Sequence, residues 1–392
     1  MLKILSVVMM LGALLTAGCS SKPEKSSATS IEHQSSVTTT ASRPRSETPS
    51  AIYGADGLQP QWSSAARASG SGALLRVSGD YAGYPAVTAL IQRMERDQGM
   101  NAGDLARTFS RVERQQWILD FLNRPKRKSS SGPTGAWTRY RAKFLTDDNV
   151  RNGAQFWSRY SSTLDRAYER YGVPPEYVVA ILGVETRWGG YLGKHKVIEA
   201  LSTLAFDYPR RSEFFTGELE SFLVMCRDEG FDPFRPVGSY AGAMGLGQFM
   251  PTSFQQFAVD FDGNGRRDLW NPVDAIGSVA NYFKQHGWRT GELVAVRAGT
   301  GSPVPRSVKT GYDSRYKPGA LDAMGVRTTV PLDGVGEVSL LEFDAQGGYQ
   351  YWLGLTNFYV ITRYNHSSYY AMAVHQLAEA VRQRHRGAAA GT

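Results

Sequence analysis

The sequence predicts a mainly helical α+β protein, and three stretches carry that prediction. From about Tyr84 to Asp228, apolar residues recur every three or four positions, the spacing of one helix face. From Gly301 to about Thr362 the texture changes to Gly and Pro punctuation around short runs, EVSLLEF at Glu337 to Phe343 and YQYWLGL at Tyr349 to Leu355. Such runs read as strands of a small antiparallel sheet. Helical spacing returns from Tyr370 to about Arg384, so the sheet reads as an insertion between helical parts.

Residues 1–18 begin with Lys3, continue through the apolar run Ile4 to Leu15 and end in small residues before Cys19. The run is short for a membrane span and reads as a secretory signal. It resembles a bacterial lipoprotein signal with Cys19 as the lipid-bearing residue. Thr16 is a departure, since Leu is commonest there, and Ser20 after the cysteine implies sorting to the outer membrane. Residues 19–80 then form the predicted lipidated tether. Between Ser20 and about Ser50 almost nothing in it can be buried, which predicts disorder. The predicted divisions that follow are 81–300 for the helical region and core, 301–362 for the β subdomain, and 363–392 for a returning helix and tail.

Apart from Cys19 only Cys226 remains, so no internal disulfide is available. Cys226 lies in a helical pattern and reads as core. The net charge of +8 suits an anionic polymer or surface. RPKRK at Arg124 to Lys128 is its densest cluster and reads as a solvated loop. No nucleic-acid module, phosphate-cradling loop or internal repeat is present.

Phe156, Tyr160, Leu164, Ala167 and Tyr171 predict one amphipathic helix. The next helix starts at Pro174 and Pro175 and stops at Gly189 and Gly190. It carries GVETRWG, in which the helical neighbours of Glu185 are Val178, Ile181, Leu182 and Trp188. None can neutralise a carboxylate, and Arg187, two positions on, points elsewhere. A carboxyl group so placed holds its proton to high pH, as general acids for sugar cleavage do. The competing reading is a buried Glu satisfied by a distant Arg or a backbone amide. After Pro209 a further helix places Phe214, Phe215, Leu219 and Phe222 inward, with Arg210 and Arg211 near its start. A helix start needs no cation, so the two arginines serve a ligand or are merely exposed.

SYAGAMGLGQFMPTSF at Ser239 to Phe254 sets Gly242, Gly245 and Gly247 before Gln248 and opens a helix at Pro251. The glycines admit a ligand or another backbone, so the segment is either a binding loop or a tight turn. DFDGNG at Asp260 to Gly265 has the oxygen spacing of an EF-hand opening. Arg266 would act there through its carbonyl. At the twelfth position Asn271 replaces the usual Glu, and Asp274 is placed to close an elongated loop instead. TRYNHSSYYAMAV at Thr362 to Val374 and NYF at Asn281 to Phe283 offer aromatic faces with polar tips. These suit sugar rings and equally suit core packing.

Together the lipoprotein start, GVETRWG, FDYPRRSEFF, GSYAGAMGLGQFMP, DFDGNGRRDLWNPVDAIGSVANYF and TRYNHSSYYAMAV resemble the membrane-bound lytic murein transglycosylase B family, from about Trp137 to about Ala380. The resemblance implies a lysozyme-like core that cleaves peptidoglycan glycan strands. It implies Glu185 as the single acid/base, with Ser239 and Gln248 supporting the reacting sugar. Tyr140, Arg210, Arg211, Tyr282, Tyr364, Asn365 and Tyr370 match cleft positions. Asp260, Asp262, Asn264, Arg266 and Asp274 match a structural calcium loop, with Asn264 removing one charge where the family can carry Asp. No cofactor for the chemistry is implied. The implied location is the periplasmic face of the outer membrane, with cell-wall synthetic enzymes as candidate partners. Two rivals stay open: a lysozyme-type hydrolase with a second carboxylate, Glu199 and Asp207 being candidates, and a non-catalytic glycan-binding lipoprotein.

Overall fold

The computed structural model describes residues 76–125, 133–301 and 304–389. The signal, Cys19 and the tether up to residue 75 lie outside the described residues, as do residues 126–128 of the basic cluster.

The chain opens with helices α1 (Pro85–Gln98), α2 (Ala102–Phe109), α3 (Gln116–Leu122) and α4 (Ala136–Arg141). Helices α5 (Asp147–Arg159) and α6 (Ser161–Tyr171) follow where one helix was predicted, because Tyr160 leaves helical geometry at φ −113°, ψ 25°. The apolar spacing runs through this break in phase, with Phe156, Leu164, Ala167 and Tyr171 all buried.

Helix α7 (Pro175–Thr186) is apolar on nearly every face and is buried accordingly, as a central helix must be. It ends earlier than Gly189. Arg187 (φ 53°) and Trp188 (φ 56°) take left-handed conformations and turn the chain at once. The Trp188 ring then lies on Gly183, where any side chain would collide with it, and its indole Nε1 donates to the Val179 carbonyl at 2.9 Å.

Strand β1 (His195–Lys196) pairs antiparallel with β2 (Val237–Gly238), and between them run α8 (Val197–Asp207) and α9 (Ser212–Asp228). Phe215, Leu219 and Phe222 are buried on α9, whereas Phe214, predicted inward, is 39% exposed. Cys226 is a buried core residue with a free thiol. Helices α10 (Pro251–Phe257) and α11 (Pro272–Gln285) bracket the DFDGNG loop.

The sheet begins before Gly301, with β3 (Ala295–Thr300). After α12 (Pro318–Ala323) come β4 (Val326–Arg327), β5 (Ser339–Ala345) and β6 (Gly348–Gly354), in the antiparallel order β4-β3-β6-β5. One face of the sheet closes a separate small core around Val296, Leu340 and Leu353. Helix also resumes earlier than predicted, in α13 (Thr356–Tyr364), and α14 (Ser368–Ala389) then packs across α7 and α5. This last helix returns the C-terminal motif to the central helices.

Candidate active site

Glu185 occupies the last turn of α7 and is half-buried. The turn is anchored by Thr186, whose hydroxyl donates to the Leu246 carbonyl at 2.9 Å and accepts from the Gly189 amide at 3.1 Å. The helix end is thereby tied to the glycine-rich loop. Tyr370 of α14 donates its hydroxyl to Glu185 Oε1 at 2.6 Å. Among the described residues no cation pairs with this carboxylate. Burial raises its pKa from 4.5 to about 7, and the Tyr370 hydrogen bond, which favours the charged form, opposes part of that rise.

Three tyrosines surround the acid. Burial first, then the Glu185 charge, pushes the hydroxyls of Tyr140, Tyr364 and Tyr370 to higher pKa, so all three stay protonated donors. Tyr364 stacks on Tyr370 with centroids 6.5 Å apart and donates to the Gly247 carbonyl at 2.5 Å. Tyr282 donates to the Arg363 carbonyl at 2.7 Å and stands edge-on to Tyr364.

Beside these rings opens a groove of about 270 Å³ lined by Arg211, Phe214, Gln248, Tyr282, Tyr364 and Asn365. The buried Asn365 Oδ1 has no partner among the described residues and is placed for a ligand donor. Arg211 lies 4.0 Å from the centre of the Phe214 ring, and burial lowers its pKa. Arg210, by contrast, is exposed in the short 3₁₀ turn Pro209–Arg211 and does not line the groove. Sequence reasoning missed Glu218, Arg363 and His366, which also line it. Arg363 and His366 stand inside the TRYNH motif, so its neighbouring polar residues were the available signal. Glu218 is held by Thr252, through its amide at 2.9 Å and its hydroxyl at 2.7 Å, and is not among the groups that shift Glu185.

The glycine-rich loop is a packed turn behind the groove. Gly242 (φ 87°) faces Leu201 and Gly245 (φ 67°) faces Leu269, both without room for a side chain. Ser239 braces it, its hydroxyl accepting from the amides of Ala241 at 3.3 Å and Ala243 at 3.0 Å. Gln248, itself left-handed at φ 52°, donates Nε2 to the carbonyls of Gly245 and Leu192.

The carboxylates offered as hydrolase candidates, Glu199 and Asp207, are committed elsewhere. Glu199 accepts from Gln115 and pairs with Lys196 at 2.7 Å, and Asp207 pairs with Arg114 at 2.9 Å and accepts from Tyr84. Neither is among the groups that shift Glu185.

Asp260 and Asp262 of the DFDGNG loop and Asp274 in the first turn of α11 bring carboxylate oxygens within 4.8 Å of one another. Asp260 accepts from the amides of Gly263, Asn264 and Gly265, which curls the loop around it. Asp274 is fully buried and accepts from the amides of Phe261, Asp262 and Asp268. Asn264 donates to Asp262 at 3.0 Å, and Asn271 donates to it at 2.6 Å while capping α11. The Arg266 side chain runs over Phe231, which leaves the carbonyl as the group it can offer a metal. Three converging carboxylates with no soft donor fit a hard cation such as calcium.

The model of the transglycosylase SLT domain matches residues 83–379. Membrane-bound lytic murein transglycosylase B of Escherichia coli K12 is 50% identical over 312 residues, 79% of this chain and 86% of that protein. The lytic transglycosylase Slt35 of E. coli, solved in complex with calcium and with bulgecin A, superposes with a TM-score of 0.75 at 50% identity, covering 79% of this chain and 97% of Slt35. SltB3 from Pseudomonas aeruginosa, in complex with NAG-anhNAM-pentapeptide, is 31% identical with a TM-score of 0.66 over 76% of this chain and 78% of SltB3. With a match across most of its length and an acid of raised pKa at its centre, the chain belongs to the transglycosylase SLT domain family.

Proposed function

We propose that this chain is a peptidoglycan lytic transglycosylase working through Glu185 alone. The observation that carries the reading is a half-buried carboxyl group with a pKa of about 7, one hydrogen bond and, among the described residues, no cation. Protonated, Glu185 gives its proton to the glycosidic oxygen between N-acetylmuramic acid and N-acetylglucosamine, and the bond from that oxygen to the muramic acid C1 breaks, releasing N-acetylglucosamine as an alcohol. The acetamido group of the muramic acid stabilises the electron-poor C1, which replaces a second protein carboxylate. Ionised Glu185 then takes the proton from the same sugar's 6-hydroxyl, whose oxygen bonds to C1 and closes a 1,6-anhydro ring. Water is not consumed and the acid ends as it began.

Tyr370 holds the carboxylate in place while it is charged. Tyr140 and Tyr364 wall its pocket, and Gln248, Asn365, Tyr282 and Arg211 meet the sugar and its substituents. Ser239 supports this set by shaping the loop, and Arg210 contributes charge outside the groove. One calcium ion at Asp260, Asp262, Asn264, the Arg266 carbonyl and Asp274 would brace the loop that joins α10 to α11. No cofactor takes part in the chemistry.

No helix among the described residues is long and apolar enough to cross a membrane. We place the anchor at Cys19, with the tether holding the domain at the periplasmic face of the outer membrane within reach of the wall and its synthetic enzymes. The division into core, β subdomain and returning helix belongs to the same reading.

Mass analysis of products from digested sacculi tests the reaction. Anhydromuramic ends with wild type and none with Glu185→Gln are expected. Reducing-end muramic acid would mean hydrolysis and overturn it.

A further inference from the structure

A second groove, of about 610 Å³, shares no lining residue with the one lined by Tyr364 and Asn365. Its floor is the other face of the sheet, where Arg297 of β3 and Trp352 of β6 are directly paired across the strands and Gln350 lies two residues away. Its walls are α4, through Arg141, and α14, through His375 and Gln376. The same two helices carry Tyr140 and Tyr370 to the catalytic acid.

The lining sets two arginines, Arg141 and Arg297, against one carboxylate, Glu379, which is already paired with Arg382, and it is rich in amides from Gln350, Gln376 and Gln383. Arg297 and Arg141 are both exposed, and neither has a carboxylate partner among the described residues. Arg297 lies over the Trp352 ring at 5.9 Å, and Arg141 Nε donates to Gln376 Oε1 at 2.6 Å, which leaves most of its guanidinium donors for a ligand. The indole Nε1 of Trp352 is buried with no acceptor among the described residues. His375 is buried and holds Tyr177 at 3.0 Å through Nδ1, and burial depresses its pKa to about 4, so it adds a neutral polar group and no charge. Forked guanidinium groups recognise planar carboxylates. Side-chain amides match peptide bonds, and a Trp face covers an aliphatic stem.

We propose that this groove binds the carboxylate-bearing peptide stem of a peptidoglycan strand, so that the enzyme grips the wall at a point separate from the bond it cuts. The assignment rests on the function proposed above for its choice of ligand. The groove's charge and amides select an acidic peptide over a bare sugar.

Calorimetric titration of the full chain with free stem tetrapeptide tests it, with Glu185→Gln, Arg297→Ala and Arg297→Lys alongside wild type. Glu185→Gln should bind as wild type does. Arg297→Ala should bind at least about tenfold more weakly, the effect of losing charge-assisted hydrogen bonds, and Arg297→Lys should fall between. Arg297 is exposed, so its replacement spares the core, and unchanged activity on stem-free glycan oligomers verifies folding. Equal affinity for wild type and Arg297→Ala overturns the proposal. Stronger binding of inorganic phosphate than of the peptide also overturns it, by marking a general anion site. Neither result touches the product analysis, so failure of the groove and failure of the catalytic reading are read separately.

Discussion

Replacing Glu185 by Gln should abolish catalysis and stabilise the fold in alkaline solution. The wild-type carboxyl has a folded pKa of about 7 against an ordinary 4.5. A group whose pKa is raised on folding binds its proton more tightly in the native state. Its contribution to stability is therefore fully present below about pH 4.5 and is lost as pH rises through about 7. The shift corresponds to about 3 kcal/mol at 1.36 kcal/mol per unit. The substituted amide imitates the protonated acid, keeps an oxygen for the Tyr370 hydroxyl and does not titrate. The variant and wild type should match near pH 4.5, and the variant should gain by about 3 kcal/mol near pH 8.5. With roughly 300 described residues at about 2.1 cal/mol/K each, that is roughly 5 °C in Tm. Thermal unfolding of both proteins at the two pH values measures it, and every other titrating group cancels in the difference. A Tm difference that does not change with pH would refute the claim that burial holds a proton on Glu185. In parallel, wild-type activity should fall as pH rises through about 7, and Glu185→Gln should lose about 10²–10⁴-fold at any pH.

Tyr370→Phe removes the one hydrogen bond favouring ionised Glu185, so the alkaline limb of the pH–rate profile should move higher while the maximal rate drops about tenfold. A limb that moves lower would contradict the assigned role. Calcium at about 100 times its Kd should stabilise the full chain by about 2.7 kcal/mol, read as a melting shift reversed by chelator and absent in Asp262→Ala. Gly242→Ala, at φ 87° and against Leu201, should cost at least about 2 kcal/mol in denaturant unfolding, since backbone strain and overpacking act together.

The acid was legible because helix geometry places Val178, Ile181 and Leu182 around Glu185 whatever the tertiary fold does. The helix end was not. Glycines at 189 and 190 offered the ordinary stop, yet Arg187 and Trp188 adopt the left-handed conformation, held by Trp188 packing on Gly183 and bonding to Val179. No local preference announces a stop that depends on a ring settling in a gap further back along the helix. The break at Tyr160 was hidden because α6 starts in phase with α5. Two adjacent arginines offer no periodicity by which to choose between them, and only the turn at Pro209–Arg211 sends Arg211 to the groove and Arg210 to solvent. Periodicity likewise placed Phe214 with Phe215, while the fold buries Phe215 and turns Phe214 to the groove.

Among the described residues, the non-glycine positions with left-handed φ are Arg187, Trp188 and Gln248, and all three adjoin the turn that carries Glu185. Each costs about 1–2 kcal/mol relative to ordinary backbone. Their hydrogen bonds explain how the conformation persists: the amides of Arg187 and Trp188 donate to Gly183 and Leu182, and the Gln248 side chain spans the carbonyls of Gly245 and Leu192. Had α7 continued, residue 188 would follow the helix away from Gly183. The turn instead brings Trp188 back onto the helix and leaves Glu185 at its open end, beside Tyr370, with the glycine-rich loop clamped against Thr186. Strained backbone and a proton held far above its usual pKa thus occupy the same few residues. Both destabilise the native state at neutral pH, and in the proposed mechanism both serve one end, an acid that can give up its proton and take another without a second carboxylate. The most stable version of this site and the most active one are therefore different molecules, which is why Glu185→Gln should gain in Tm what it loses in turnover.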